Sequence, residues 1–410
     1  MKTRLILGGG TASTILANKM VTRLPSDWKV EVVDQNDHHH YQPGFLFVPV
    51  GMMPAKRVTK FRRAQFKDGV NYTETEILSV DPDKKVVATA AGDKPYDVLV
   101  VATGTQIHPE MVEGRNDDRI WRASAHEFYT LEGSERLRDA LNDFKGGKVL
   151  VHVAEMPIKC SVAPLEITLL MEDYFRKRHV RHKVDITYVI PLDGAFTKPM
   201  ASKELCDLIE ARSVRLAHDF AVEKVDPEAK TLNSYDGRAL PFDLFVEVPP
   251  HMGAGFLAGS GLADDQNFVT VDKHTLQHTK YQDVFTVGDA ANVPTSKAGA
   301  VAHFEIDKLV ENIEQAIKGQ APTRQFDGHA NCFVESGRGK AMLLDFNYDT
   351  QALTGKFPVP LIGPMTLLGE FRLNHMDKLG FELIYWNALL PGVKIPIPAD
   401  MNMAGKYQPK

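Results

Sequence analysis

The pattern of apolar positions near the start of the chain predicts a strand, a tight turn, a helix and a second strand. Residues 4–7 form a short apolar run, and three glycines follow it directly. Apolar residues then recur at helical spacing over 11–24, and residues 29–33 form a second apolar run. This alternation of strands and a helix predicts an α/β fold with a parallel sheet.

The turn of this unit has residue types that suit a dinucleotide. Gly8 and Gly10 are separated by one residue, and Ser13 stands where the usual fingerprint has a third glycine. Glycines let a pyrophosphate approach the backbone N–H groups at a helix N-terminus. Asp34 ends the second strand, where a carboxylate accepts hydrogen bonds from a ribose. The unit therefore predicts a dinucleotide site, with a plain glycine loop as the alternative.

Two later segments extend this pattern. Residues 96–104 form an apolar strand that closes on Ala-Thr-Gly, and residues 284–290 form another that runs into Gly-Asp at the start of a predicted helix. The order of the three segments resembles that of flavoproteins with two dinucleotide-binding domains. The resemblance implies an FAD-binding domain that is interrupted by a second domain.

A second strand–helix–strand unit begins at residue 148. Residues 148–154 form an apolar strand, 164–178 a helix and 184–190 a further strand, which repeats the spacing of 4–34. The turn over 155–161 contains no glycine. Because bulky residues and proline cannot cradle a pyrophosphate as glycines do, we expect an NADH-like fold that has lost its binding loop.

These units predict two Rossmann-like domains, the second inserted in the first. We expect residues 1–108 and 251–330 to form the FAD-binding domain and 109–250 the second, degenerate domain. Residues 331–410 would form a C-terminal region.

Composition narrows the function classes. Hydrophobic residues make up 43% and charged residues 25%, as in folded globular chains. The net charge is −5 without a basic block, which disfavours nucleic-acid binding. We expect neither a signal peptide at the N-terminus nor a transmembrane helix, since long apolar runs are missing.

Three cysteines are too few for a secreted disulfide framework, so each is considered by its setting. Cys206 falls at the helical spacing of a packing face and is expected to be structural. Cys160 lies in the turn where the second unit would bind NADH, and Cys332 lies beyond the Gly-Asp segment. A lone cysteine is commonly a small buried hydrophobe, but the position of Cys160 favours a functional role. Neither belongs to a Cys-x-x-Cys pair, and no metal site is predicted.

The segments around two of these cysteines resemble sulfide:quinone oxidoreductases. Residues 157–166 contain Pro-Ile-Lys-Cys and Pro-Leu-Glu, and residues 332–337 read Cys-Phe-Val-Glu-Ser-Gly. The resemblance covers essentially the whole chain. It implies a redox pair of Cys160 and Cys332 on one face of the flavin and a membrane quinone on the other. Sulfide would become zero-valent sulfur or polysulfide, with Glu166 as the candidate proton acceptor.

The resemblance also assigns residues to the cofactor and to the quinone. The implied FAD contacts are Gly8, Gly10, Thr11, Ala12, Asp34, Gln42, Pro43, Ala102, Thr103, Gly104, Gly288, Asp289 and Lys297. The implied quinone contacts are Lys297, Gly299 and Phe333.

One departure from the family is visible. Many members have a third cysteine before the second domain, whereas residues 118–131 contain none. The resemblance therefore implies a two-cysteine variant that holds FAD non-covalently. His126 falls in this region and is expected at the surface, with proton handling as the alternative.

The tail is apolar and aromatic, with a helix predicted over 376–390. Because a quinone resides in the bilayer, this amphipathic region is expected to interact with the membrane surface as a peripheral, monotopic attachment. Packing on the enzyme's own core, or at an interface between subunits, is the alternative. The number of subunits stays open.

Three other functions are weighed against sulfide:quinone oxidoreductase. A type II NADH:quinone dehydrogenase would share the flavin domain and the tail, but the glycine-free second turn disfavours it. The flavoprotein subunit of a sulfide dehydrogenase would pass electrons to a cytochrome. A non-catalytic FAD-binding protein would not depend on its cysteines.

Overall fold

The chain forms two parallel sheets, each covered by helices. The computed structural model describes residues 2–23, 25–121, 123–359, 362–395 and 397–408. The predicted α/β class with two dinucleotide-binding folds is confirmed.

The first sheet has five parallel strands, in the spatial order Val284–Thr286, Val98–Val101, Lys2–Leu7, Trp28–Asp34 and Val70–Glu74. Side chains of the central strand alternate between its faces, because successive residues of a strand point in opposite directions. Leu5 and Leu7 pack in one hydrophobic cluster and Ile6 in another. The Thr11–Met20 helix covers one face and is shorter than predicted; the predicted end at Leu24 lies outside the described residues.

The second sheet repeats this design. Its five parallel strands are, in spatial order, Ala125–His126, Leu244–Val248, Gly147–Val153, Val184–Val189 and Arg215–Ala217. Its helices are Leu131–Asp143, Ala163–Lys177 and Pro199–Ala211. The two strand–helix–strand units inferred from the sequence therefore belong to two separate parallel sheets, each with its own helices.

Each parallel sheet is accompanied by a small antiparallel sheet. The first comprises the strands Ile77–Asp81, Val86–Thr89 and Gly92–Pro95. The second comprises the strands Val222–Asp226, Thr231–Ser234 and Ala239–Pro241.

The C-terminal part starts from a long helix, Gly299–Ile317. An antiparallel hairpin of Ala330–Gly337 and Lys340–Phe346 follows. A three-stranded sheet has the order Gly363–Leu367, Thr354–Val359 and Lys406–Tyr407. The last helix, Arg372–Ile384, continues through the π-helical turn Tyr385–Leu389.

Short elements complete the chain. The remaining strands are His38–His40, Thr59–Phe61, Gln106–Ile107 and His251–Met252. The 3-10 turns are Gln42–Leu46, Ala55–Arg57, Arg63–Gln65, Pro109–Met111, Arg181–Lys183, Gly255–Leu257 and Gly288–Ala290. The Gly-Asp segment thus begins a single 3-10 turn rather than the predicted helix, which starts only at Gly299.

The last helix is less exposed than its sequence suggests. Trp386 and Leu390 lie in the tail segment that was expected to interact with the membrane surface, but both are buried in a large hydrophobic cluster that includes residues of both parallel sheets. Met376, Leu383 and Ile384 remain exposed. One side of the helix therefore packs on the protein, and the other side faces outward. Among the described residues, no helix is both long and apolar enough to cross a membrane.

Asn18 attaches the end of this tail to the first helix. Its buried amide donates to the carbonyl of Leu390 at 2.7 Å and to that of Gln65 at 2.8 Å. Its side-chain oxygen accepts from the N–H of Lys67 at 2.7 Å.

We predict that Asn18→Ala lowers the free energy of unfolding by about 3 kcal/mol, because it leaves buried backbone groups unpaired. Urea denaturation of the purified protein measures the effect. The control is Asn387→Ala, which removes an amide from the exposed side of the tail and should cost less than about 0.5 kcal/mol. Equal losses in the two variants would contradict the attachment.

Candidate active site

The first glycine turn lies at the carboxyl edge of the first sheet. Gly8 has φ +93°, and a Cβ there would lie 2.5 Å from the carbonyl oxygen of Ala102, so a side chain does not fit. A Cβ on Gly10 would meet nothing within 4 Å, which leaves open space at the start of the Thr11–Met20 helix. Asp34 accepts a hydrogen bond from the N–H of Gly9 at 2.5 Å. The turn and the carboxylate are thus held together, as a bound pyrophosphate and ribose require.

The other predicted cofactor segments meet at the same edge. Ala102, Thr103 and Gly104 follow the neighbouring strand, and Gly288 and Asp289 follow the strand beyond it. The hydroxyl of Thr103 is buried without a hydrogen-bond partner among the residues that the structure describes. Burial raises the pKa of Asp289, although ammonium groups nearby oppose the shift. The unpaired hydroxyl of Thr103, the open space at Gly10 and the carboxylate of Asp34 are together suited to bind FAD.

The remaining residues predicted to contact FAD differ in burial and in hydrogen bonding. Thr11 shares a hydrogen bond of 2.7 Å with the hydroxyl of Tyr385, from the tail, and Ala12 is buried. Gln42 and Pro43 are exposed at the start of a 3-10 turn.

Lys297 connects the Gly-Asp segment to the turn of the second domain. Its ammonium donates to the carbonyl oxygens of Asp289 at 2.9 Å and Ala291 at 2.6 Å. Burial lowers its pKa to about 8. Its own carbonyl accepts the N–H of Cys160 at 2.7 Å. The predicted lysine is therefore in place, with its ammonium bonded to backbone oxygens.

Cys160 and Cys332 come from different elements and meet at this edge. Cys160 lies in the glycine-free turn with φ +53°, a conformation that side-chain-bearing residues adopt rarely. Cys332 lies on the Ala330–Gly337 strand, and its thiol donates to the hydroxyl of Ser296 at 3.8 Å. The Ser296 hydroxyl also lies 3.5 Å from that of Ser161, so this serine lies between the two cysteine segments.

Burial sets the protonation of both thiols. It raises the pKa of Cys160 to about 12, and the Glu166 carboxylate and the Cys332 thiol add to the shift. It raises the pKa of Cys332 to about 11, against the hydrogen bond to Ser296. Both cysteines are unbridged thiols in this arrangement. Cys206 lies apart from them, on the Pro199–Ala211 helix beside Gly194.

Glu166 is buried rather than solvated. It lies in the first turn of the Ala163–Lys177 helix and accepts the N–H of Glu335 at 2.6 Å. Its other partner is the ammonium of Lys378, with which it forms a buried ion pair. Burial raises the pKa of Glu166 despite this ammonium. A carboxyl group with a raised pKa beside the cysteines is suited to exchange a proton with them.

Lys378 and His375 are the site residues that the sequence reading missed. Both lie on the Arg372–Ile384 helix, which was predicted only as an apolar surface. The Lys378 ammonium also donates to the carbonyl of Phe333 at 3.3 Å, and His375 Nδ1 lies 2.9 Å from a carboxylate oxygen of Glu335. His375 and Lys378 are one helical turn apart and so share a face of the helix, but the same helix contains other charged residues, so the spacing alone did not single them out.

One further prediction, the surface position of His126, is wrong. His126 was expected at the surface but is buried, and burial lowers its pKa to about 4. Phe333 is partly buried and packs against a cluster that includes Leu343 and Phe357. This cluster lies between the C-terminal sheet and the hairpin of Ala330–Gly337 and Lys340–Phe346, which contains Cys332 and is called the cysteine hairpin. Gly299 begins the long helix beside Thr11.

Among the described residues, no group of three His, Cys, Asp or Glu could hold a metal ion.

We predict that Lys378→Met destabilises the protein by about 3–5 kcal/mol, because it leaves the buried Glu166 carboxylate unpaired. The unfolded carboxyl ionises above about pH 4.3, whereas the unpaired buried one holds its proton to higher pH. The loss should therefore grow as the pH rises above the usual carboxyl range.

Urea denaturation at several pH values measures this effect. The double variant Glu166→Gln/Lys378→Met should regain stability and lose the added pH dependence. Lys394→Met, at an exposed lysine, is the matched control and should behave as the wild type. A pH-independent loss in Lys378→Met would contradict the ion-pair account.

Comparisons with known proteins agree with this geometry. The pyridine nucleotide-disulphide oxidoreductase family model matches residues 2–317. The chain is 28% identical, over 95% of its length and 86% of the relative's, to the mitochondrial sulfide:quinone oxidoreductase of Mus musculus. It is 27% identical, with the same coverage, to that of Dictyostelium discoideum.

A solved structure is similar over nearly the whole fold. It is the sulfide:quinone oxidoreductase of the hyperthermophilic bacterium Aquifex aeolicus, with a TM-score of 0.79 and 20% identity. The similarity covers 96% of this chain and 92% of that one. The resemblance to sulfide:quinone oxidoreductases inferred from the two cysteine segments is confirmed. The chain belongs to the pyridine nucleotide-disulphide oxidoreductase family.

Proposed function

We propose that the protein is an FAD-dependent sulfide:quinone oxidoreductase, which oxidises hydrogen sulfide to zero-valent sulfur or polysulfide and reduces a membrane quinone. The observation that carries this proposal is the position of Cys160. It occupies the turn where a related enzyme would bind NADH, and a backbone hydrogen bond joins it to Lys297 of the flavin domain. The curated relatives named above support the same activity.

The cysteine pair performs the sulfur chemistry. Hydrosulfide attacks the oxidised Cys160–Cys332 pair; one sulfur–sulfur bond breaks and one forms, leaving a persulfide on Cys160 and a thiolate on Cys332. Bound FAD supplies the two-electron transfer to the quinone. The Cys332 thiol donates a hydrogen bond to the hydroxyl of Ser296. Cys160 has a left-handed backbone conformation, and its N–H donates to the carbonyl of Lys297.

Glu166 and Lys378 are the ionisable groups that act on proton transfer at the Cys160–Cys332 pair. The carboxylate of Glu166, whose pKa is raised by burial, accepts the proton that enters with hydrosulfide and is then held by the persulfide on Cys160. The ammonium of Lys378 stabilises negative charge nearby and opposes the rise in the pKa of Cys160. Together they make thiolate chemistry possible in a buried site.

The residues assigned to FAD are Gly8, Gly10, Thr11, Ala12, Asp34, Gln42, Pro43, Ala102, Thr103, Gly104, Gly288, Asp289 and Lys297. Those assigned to the quinone are Lys297, Gly299 and Phe333. The division into a flavin domain (1–108 and 251–330), a second domain (109–250) and a C-terminal region (331–410) is part of the same proposal.

The second turn argues against NADH as electron donor. Ile158 and Val162 fill this turn and are buried in the hydrophobic core, where an NADH-binding loop would have glycines. This observation favours sulfide over the type II NADH:quinone dehydrogenase alternative.

The tail is proposed to attach the enzyme to the membrane surface, where a quinone is found. Met376 is 64% exposed, Leu383 66% and Ile384 47%, all on the side of the last helix that faces away from the protein. Apolar side chains at this exposure are suited to insertion at a lipid interface.

We predict that Cys160→Ala and Cys332→Ser each reduce sulfide-dependent flavin reduction to less than about 1% of the wild-type rate, since neither leaves a pair to open. Loss of flavin absorbance after anaerobic mixing with sulfide is the measurement. Cys206→Ser, which changes the remaining cysteine, should keep the wild-type rate.

The same assay separates the alternatives. NADH should leave the flavin oxidised, and a short-chain quinone should restore its absorbance after sulfide. Bleaching by NADH but not by sulfide would overturn the proposed function. Full activity in both cysteine variants would indicate a protein whose cysteines are not redox-active.

We predict that Leu383→Asp/Ile384→Asp weakens binding to phospholipid vesicles by about 100-fold, since burying each side chain contributes about 1.5 kcal/mol or more. Co-sedimentation measures binding, and reduction of a short-chain quinone should be unchanged. Leu78→Asp, at an exposed leucine on the Ile77–Asp81 strand, is the control. Unaltered vesicle binding in the double variant would refute this attachment surface.

A further inference from the structure

Arg62 is a buried arginine beside the glycine turn that the mechanism above does not use. It follows the Thr59–Phe61 strand, and only 7% of the residue is exposed. Its guanidinium forms an ion pair with Asp34. It also donates to the carbonyl oxygens of Asn36 at 2.7 Å and His38 at 2.6 Å. The side chain is therefore held in one position at the carboxyl end of the second strand.

That position is against the middle of the Gly8–Gly10 turn. A Cβ on Gly9 would lie 2.7 Å from Arg62 Nε, so Gly9 has no side chain at the place where the arginine lies. The N–H of Gly9 and the guanidinium bind different oxygens of the Asp34 carboxylate. The arginine, the turn and the ribose-type carboxylate thus form one unit.

One donor of this arginine lacks an acceptor. Arg62 Nε is buried and has no hydrogen-bond partner among the residues that the structure describes. Leaving a buried charged donor without an acceptor is energetically unfavourable. A missing acceptor beside a phosphate-binding turn points to an anionic oxygen, for which the planar guanidinium is well suited.

We propose that Arg62 binds the pyrophosphate of the dinucleotide cofactor through its Nε–H, while its Nη1 holds Asp34 for the ribose. The identity of the cofactor as FAD rests on the proposed function. Arg62 thereby supplies a positive charge at a turn whose fingerprint lacks its third glycine. It is a cofactor-binding residue and takes no part in the sulfur chemistry.

The experiment uses apoprotein prepared from the holoenzyme by removing its non-covalent FAD. Dissociation constants for FAD and for ADP are measured with the wild type, Arg62→Gln, Arg62→Lys and the control Arg63→Gln. Arg63 is the exposed neighbour whose guanidinium lies 5.4 Å from the ring of Tyr72. Circular dichroism of each apoprotein reports whether the fold is retained.

Arg62→Gln should weaken FAD and ADP binding alike, by about 10- to 100-fold, the value of a hydrogen bond to a charged group. Arg62→Lys keeps a positive charge but lacks the planar guanidinium. Its dissociation constants should therefore lie between those of Arg62→Gln and those of the wild type. Arg63→Gln should bind both ligands as the wild type does.

Phosphorus-31 NMR of the FAD-loaded proteins gives a readout that a merely structural role would not move. The pyrophosphate resonances should shift in Arg62→Lys relative to the wild type and stay in place in Arg63→Gln. Unchanged resonances in Arg62→Lys, or a folded Arg62→Gln that binds ADP as tightly as the wild type, would overturn the inference.

The experiments distinguish a failure of the Arg62 inference from a failure of the proposed function. ADP binding and its dependence on Arg62 test the inference without sulfide or a quinone. A wild-type protein that binds FAD and ADP but is not reduced by sulfide would refute the proposed function and leave the role of Arg62 supported.

Discussion

The site depends on one constraint: neighbouring strands of a parallel sheet end at the same edge. Lys2–Leu7 pairs in parallel with Val98–Val101, which pairs with Val284–Thr286. The turns after these strands contain the glycines, the threonine and the aspartate assigned to FAD, so segments far apart in the chain form one cofactor surface. Lys297 extends this surface, because its carbonyl binds the N–H of Cys160 and so brings the turn of the second sheet to the first.

The buried ion pair of Glu166 and Lys378 joins three further parts of the molecule. The carboxylate belongs to a helix of the second sheet and also accepts a backbone N–H from the cysteine hairpin. The ammonium comes from the tail. A buried carboxylate is tolerated only when it is paired and hydrogen-bonded, and here the two requirements are met by different elements. The tail thus completes the cysteine site with one side and presents Leu383 to the exterior with the other.

Burial favours the uncharged form of the thiols and of the other buried ionisable groups alike. It keeps Cys160 and Cys332 protonated, with pKa values of about 12 and about 11. It raises the pKa of Glu166 and of Glu305, the latter to about 7, and lowers that of Lys297 to about 8. Of these groups, Glu166 acts electrostatically on both thiols, whereas Glu305 and the Lys297 ammonium lie at the Gly-Asp segment.

The amino-acid sequence by itself determined the two strand–turn–helix units, the missing second glycine loop and the division of the cysteines, because these depend on residue type and short-range periodicity. It did not reveal Lys378 as the partner of Glu166, Arg62 beside Gly9 or the burial of Trp386, and it placed His126 at the surface. Those features were decided only by the tertiary structure. Helical spacing shows that a face is apolar or charged, but what covers that face depends on contacts between distant segments, which local periodicity does not contain.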